Sequence, residues 1–405
     1  MRIVAVTIFL TMLGVTTARA DVLDLLRGPL PLMGQPSTAT GVSTYDTYDL
    51  TKGRTVAAQF PFDPSDMVSS DFYDLALNFY VTNYRSGDAF WLSAARSVAT
   101  AWRDSINNQN IPKYLAGDYS VGPTIPPPRG MATLGLAIFA AETGDVGART
   151  VVNNHARLVE EAFGMAWSDA REAAYSLIAL VASTLLGDDH SASAREMLDV
   201  ILANQKPDGH WEDTSTSGLV PPNPDGSPQV FVLNYMNGLL MEALAFYDRA
   251  LDDTRVLPAI QRCVDWTWTT QWLDGAGAFQ YGNINSGSIT TAPAPDLNGL
   301  MLPGWGYAFS RTGITAYRDQ GDRIFAGLVA TIPSLTWDEK HFAQVYRSSA
   351  QYLGFTAGGF ATPVPTPTPK PTATTKPTPT AKATATIKPT PTPKPPKGAT
   401  PTPTP

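Results

Sequence analysis

The chain has 405 residues, 29 basic and 36 acidic, for a formal charge of −7. The acid excess is concentrated. Without the two arginines of residues 1–20 and the six lysines of residues 362–405, the rest holds 21 basic against 36 acidic residues, or −15. A field of that sign repels polyanions and argues against nucleic acid as a partner. Cys263 is the only cysteine, so no intrachain disulfide can form and apolar packing must carry the stability.

The chain opens with Met1-Arg2, an apolar run to Val15 and then Thr16-Thr17-Ala18-Arg19-Ala20. A positive start, a short apolar core and a small-x-small site predict a secretory signal peptide over residues 1–20. The run is short for a membrane span, so the mature chain is expected to be exported in a bacterial-type manner, with no transmembrane segment. Residues 21–361 form one expected domain. Residues 362–405 are built from Pro, Thr, Lys and Ala. That composition cannot offset its ordering entropy and favours an extended spacer. As a stalk it would reach a cell wall or envelope.

Between these ends the sequence reads as paired helices. Polar corners recur at Ser86-Gly87-Asp88, Thr143-Gly144-Asp145, Gly187-Asp188-Asp189, Leu251-Asp252-Asp253 and Arg311-Thr312-Gly313. Intervals of this size mark a repeat architecture. The predicted pairs are 71–85 with 90–105, 129–142 with 146–163, 170–186 with 191–205, 229–250 with 255–272, and 296–311 with 317–332. A helix over 337–352 lacks a downstream mate, and residues 22–32 are expected to complete the sixth pair. First arms such as Leu177-Ile178-Ala179-Leu180-Val181-Ala182 are apolar all round, the mark of burial on every side. Second arms carry a wet face, as with Arg149, Asn153 and Arg157. The first arms therefore form an inner ring and the second arms an outer one. Long connections over 107–128, 206–228 and 273–295 gather at the end where inner helices begin, and loops of that length are usually functional.

The loops begin alike. Asn204-Gln205-Lys206-Pro207-Asp208-Gly209-His210-Trp211 is the clearest copy, and Thr270-Gln271-Trp272-Leu273-Asp274-Gly275 is a looser one. Asp-Gly stops a helix and permits positive φ. The aromatic is expected to fold back as a lid while the glutamine bonds carbonyls at the helix end. On these corners and this motif the chain resembles the six-hairpin (α/α)6-toroid superfamily over about residues 65–355. The resemblance implies an all-α toroid and places the chain among glycoside hydrolases and polysaccharide lyases, although terpenoid cyclases share the repeat logic. Asp71 and Asp74 in Ser69-Ser70-Asp71-Phe72-Tyr73-Asp74 are similar in place to an aspartate that opens an inner helix in some endo-glucanases of the superfamily, but the Gly-Asp part of that motif is missing.

Glycoside hydrolysis needs two carboxyl groups. The catalytic candidates are Glu172, Asp71, Glu212 and Asp213. Glu172 leads because it starts an otherwise apolar inner helix, where a raised pKa suits a general acid. An N-terminal-turn glutamate paired with Arg171 is the structural reading of the same residue. Tyr119, Trp211, Tyr235, Tyr281 and Trp305 offer ring faces to sugars, with core packing as their competing role. Asn237, Asn298 and Asp296 stand at inner-helix starts, where they could hold hydroxyl groups. A lyase acting on a uronate polymer would draw its base from Tyr119, His210 or Tyr235, and its carboxylate neutraliser from Arg129 or Arg171. The four histidines have no metal-ligand spacing, and no phosphate loop or serine elbow is present, so no metal or cofactor is expected. The expected partner is a polysaccharide or oligosaccharide. Hydrolase is the leading reading, with lyase and non-catalytic glycan binder as alternatives.

Overall fold

A computed structural model describes residues 22–60, 73–214 and 219–357 of the chain. The expected leader, Asp71 and the Pro/Thr-rich tail lie outside the described residues. In chain order the helices are α1 (Val42–Ala57), α2 (Leu75–Ser86), α3 (Ala89–Arg103), α4 (Ile106–Leu115), α5 (Thr133–Thr143), α6 (Val146–Leu158) and α7 (Ala170–Leu185). They continue as α8 (Ser191–Asn204), α9 (Asn234–Leu251), α10 (Val256–Gln271), α11 (Asn298–Thr312), α12 (Thr315–Thr331), α13 (Glu339–Tyr346) and α14 (Ser349–Thr356). Two short antiparallel ladders sit in the loops. β1 (Asp213–Thr214) pairs with β2 (Val230–Phe231), and β3 (Trp272–Leu273) pairs with β4 (Ala278–Phe279).

The fold is an (α/α)6 toroid. Helices α2, α5, α7, α9 and α11 pack in succession, followed by the consecutive pair α13–α14, and α13 returns to α2. Residues of α9 are buried without a break from Asn234 to Asp248, as expected of a helix enclosed by protein on all sides. The outer helices α3, α6, α8, α10 and α12 bury one face only. In α3 that face is Trp91, Ala95, Val98, Ala99 and Trp102, a helical stripe. The corners turn as their composition dictates: Gly87, Gly144 and Gly313 take left-handed φ at the C-caps of inner helices, where a glycine pays no steric penalty.

Two boundaries differ from expectation. The sixth outer helix is α1, which packs on α13 and reaches α12 and α2, rather than residues 22–32. Gly28, Pro29 and Pro31 stop the short helix at 22–27, because proline lacks the N–H a helix needs. The segment then crosses the corner end of the ring. Arg249 donates to the Asp24 carbonyl (3.0 Å), Arg85 to the Pro31 carbonyl (3.3 Å), and the Met33 N–H to the Arg85 carbonyl (2.9 Å). Helix α1 escapes an apolar-pattern search because its buried face includes Asp46 and Asp49. Both are paired with Arg85 of α2, at 2.6 and 3.5 Å. The helix expected over 337–352 is broken between α13 and α14, at Arg347 and Ser348, and α1 is its mate.

No described helix is long and apolar enough to cross a membrane. Inner helices approach closely: a Cβ on Gly238 of α9 would lie 2.5 Å from the Leu300 carbonyl oxygen of α11. Gly238→Ala is expected to cost about 1–3 kcal/mol by forcing the two helices apart, read as a lower urea midpoint with an unchanged slope. A wild-type midpoint would show that the ring relaxes freely there.

Candidate functional site

The mouth is built by loops that return across inner-helix starts. The turn at Asp208-Gly209 has φ +116° at Gly209. A Cβ there would meet the Arg262 carbonyl oxygen at 2.3 Å, so only glycine fits. Gln205 donates to the carbonyls of Gly209 (2.7 Å) and Ala259 (2.8 Å), as its place in the motif predicts. Trp211 is fully buried and its indole N–H donates to the Ile201 carbonyl (2.8 Å). Asn237 clasps the backbone of Trp211 on both sides, accepting from its N–H (2.9 Å) and donating to its carbonyl (3.1 Å). Two residues on, Asp213 enters β1 and its Oδ1 accepts the Ala170 N–H at the start of α7 (3.0 Å).

That start of α7 gathers charge. Asp169 caps it by accepting the Glu172 N–H (2.8 Å). Glu172 accepts both the backbone N–H (2.9 Å) and the guanidinium (2.5 Å) of Arg129. Its near partner is therefore Arg129, with Arg171 farther off at 3.9 Å. Arg171 lies among Tyr235, Asp169, Glu172 and Tyr73, and its buried Nε has no partner among the described residues. Burial pushes the Asp213 carboxyl up from its ordinary 3.8 to about 7, and the negative charge of Asp169 adds to the rise. The Asp213 Oδ2 is also buried and unpartnered among the described residues. A buried polar atom without a bond is costly, and here there are two, on residues close enough for the Arg171 charge to act on Asp213.

Tyr235 of α9 and Tyr281 of the following loop stack nearby, with centroids 5.9 Å apart. Deeper on the axis Arg347 donates through Nε to Glu242 of α9 (3.2 Å) and through Nη1 to the Tyr73 carbonyl (3.2 Å), and lies over the Tyr175 ring. Asp74 accepts the N–H groups of Leu77 (3.1 Å) and Gly135 (2.9 Å). Burial raises its pKa while Arg347 opposes the rise.

The structure thus brings Glu172, Asp213, Arg129, Arg171, Tyr235 and Tyr281 together. Other candidates are committed elsewhere. Trp211 and Trp305 are core side chains, the latter donating to Gln320 (3.0 Å), so neither offers a ring face to a ligand. Asn237 holds Trp211, and Asn298 donates to the Gly277 and Ile324 carbonyls (2.9 and 3.1 Å). Asp296 accepts from Gln344 (2.9 Å). His210 stacks on Trp266 at 4.2 Å between the carboxylates of Asp208 and Glu212, and Glu212 also pairs with Lys206. Tyr119 is 70 % exposed on a mouth loop, edge-on to Tyr114. Sequence reasoning gave no role to Arg347, Glu242 or Tyr73. Glu242, a carboxylate in the apolar stretch Leu239–Leu244 of an inner helix, was the signal available.

The sequence matches no family model and no curated protein. Solved structures resemble it in fold. A double mutant of unsaturated glucuronyl hydrolase from Streptococcus agalactiae aligns with a TM-score of 0.56 at 9 % identity, covering 81 % of this chain and 98 % of that one. A polysaccharide lyase aligns at 0.53 and 11 % identity, covering 76 % and 97 %. An α-1,6-mannanase from Salegentibacter sp. HEL1_6 aligns at 0.50 and 11 % identity, covering 78 % and 98 %. At such identities the likeness establishes the toroid fold.

The raised Asp213 pKa has a stability consequence. The folded state binds a proton more tightly than the unfolded chain, so stability falls as pH rises from about 4 to about 7 and then levels. Asp213→Asn removes that fall. The stability difference between variant and wild type should widen across this window in urea melts taken at stepped pH, and a constant difference would show that Asp213 titrates normally.

Proposed function

We propose that the protein is a carbohydrate-active enzyme, a glycoside hydrolase that cleaves a uronate-bearing oligosaccharide at the mouth of the toroid. The observation that carries this reading is a pair of buried atoms unpartnered among the described residues, Asp213 Oδ2 and Arg171 Nε, on residues whose charges act on one another. A carboxyl whose pKa is pushed up to about 7 holds a proton at neutral pH and suits a general acid. Asp213 donates that proton to the leaving glycosidic oxygen as the bond to the anomeric carbon breaks. Water attacks that carbon and gives its proton to Asp169, whose charge is the strongest influence on Asp213 after burial. Arg171 takes the sugar carboxylate, and the stacked Tyr235 and Tyr281 receive the apolar face of the ring. The unsaturated glucuronyl hydrolase and the polysaccharide lyase among the fold neighbours support a uronate, and local arginines override the −15 of the domain at short range.

With a tyrosine as its base, the lyase reading needs a phenol to surrender its proton; His210, the other base considered, stacks on Trp266 between two carboxylates. Burial pushes the Tyr175 phenol up to about 12, and Tyr73 and Tyr235 are also raised, which makes them poor bases and favours hydrolysis. Export rests on the leader alone, and wall or envelope contact on the composition of the tail.

The test is a disaccharide ending in an unsaturated glucuronyl residue, followed by its ultraviolet absorbance. Hydrolysis frees an unsaturated hemiacetal whose ring opening to the keto form removes the chromophore, whereas lyase action on an intact uronan creates one. Wild type should bleach the disaccharide. Asp213→Asn should slow bleaching by ~100-fold or more in a variant that still melts cooperatively, and Arg171→Met should raise KM. Full activity in Asp213→Asn would remove it as the acid, and rising absorbance with a uronan would convert the assignment to lyase.

A further inference from the structure

Tyr73 and Asp74 are consecutive non-glycine residues with left-handed backbone, at φ 67° and 60°. Among the described residues only Asp252 shares that property. Each such residue costs of order 1–3 kcal/mol and persists only where its surroundings impose it, commonly at functional sites. The surroundings here are specific. Asp74 is pinned by the N–H groups of Leu77 and Gly135. Asn78 donates to the Asp74 carbonyl at 2.9 Å and to the Tyr73 carbonyl at 3.4 Å. A further tie comes from the end of α13, the helix that closes the ring onto α2: Arg347 donates to the Tyr73 carbonyl at 3.2 Å.

Arg347 and Glu242 are buried and bonded to each other (3.2 Å), with Arg347 also committed to the Tyr73 carbonyl. The Glu242 Oε1 has no partner among the described residues. A buried ion pair is a poor stabiliser, because desolvation opposes its attraction. Its value here is directional. Arg347 stands at the break between α13 and α14, where its guanidinium reaches both Glu242 of α9 and the turn that opens the neighbouring α2. The backbone it grips presents the Tyr73 ring among Arg171, Tyr175, Tyr235 and Tyr281.

We infer that Arg347, oriented by Glu242, is a positioning residue that holds the left-handed turn at Tyr73–Asp74 and so aims the Tyr73 phenol at a substrate oxygen beside Arg171. This rests on the reading of the mouth as a sugar site. The phenol keeps its proton and donates it in a hydrogen bond, binding substrate in the ground state, so its loss appears in KM rather than in kcat.

The test is a mutant cycle on the unsaturated glucuronyl disaccharide. Replacing Arg347 alone strands a buried carboxylate and could unfold the protein, so the pair is neutralised together as Arg347→Met/Glu242→Gln. Tyr73→Phe and the neutralised pair should each raise KM about tenfold, the scale of one hydrogen bond, with kcat nearly unchanged. The triple variant should lose no more than either. Additive losses, or a neutralised pair with wild-type KM, overturn the inference. A crystal structure of the neutralised pair supplies a readout independent of turnover. A Tyr73 turn and ring left in place overturn the inference even if no substrate is cleaved, and a displaced turn supports it. Asp213→Asn distinguishes the two levels: an active Asp213→Asn enzyme with a non-additive cycle refutes the proposed acid and leaves the positioning role intact.

Discussion

The first N–H groups of an inner helix have no partner within it and no water to turn to, and the toroid mouth is organised around supplying them. Several inner helices lack a cap of their own: α5 follows Ala132, α9 follows Leu233 and α11 follows Leu297, none with a side-chain cap bond. The partners come from neighbouring elements. Asp74, which caps α2, also accepts from Gly135 of α5. Asp213, carried by a loop from the next hairpin, accepts from Ala170 of α7. The Asn234 N–H meets the Tyr281 carbonyl. The starts of α2, α5, α7 and α9 are thus tied to neighbouring elements by carboxylates and loop backbones.

This arrangement explains why structural and chemical roles coincide in the same residues. A carboxylate drawn in to satisfy a helix start is also drawn out of water. For Asp213 desolvation outweighs both the Ala170 N–H and the pull of Arg171, and the carboxyl rises to about 7. The helix-end field that favours an anion is worth about 1 kcal/mol, too little to reverse the cost of burial. The same geometry separates Glu172 from Asp213. Glu172 receives a guanidinium and an N–H from Arg129, which ties the loop before α5 to α7, whereas Asp213 keeps one oxygen without a bond among the described residues.

Hydrophobic pattern made the repeat visible, because a helix apolar all round can only sit inside a ring. It also led the reading of the mouth astray in a consistent direction. Trp211, Asn237 and Asn298 looked like ligand-facing residues because polar and aromatic groups at inner-helix starts are unusual. In the structure they hold loops to helices: Asn237 clasps Trp211, and Asn298 reaches the Gly277 carbonyl. The equivalent signal was read correctly in Gln205 and Gly209, whose roles follow from local chain geometry. Helix α1 was missed because Asp46 and Asp49 interrupt its apolar face, and their partner Arg85 lies far along the chain.

The helical repeat, the inner and outer character of its arms, the end at which long loops gather, and the turn chemistry of each corner are all legible in the order of the residues, since each depends on positions close together along the chain. Only the folded chain settles which carboxylate is held by a guanidinium and which keeps an oxygen unpartnered among the described residues, which asparagines are spent on backbone, and that Arg347 bonds the turn before α2. Those outcomes depend on burial and on partners from other hairpins, and desolvation acts on a group only when remote parts of the chain close around it.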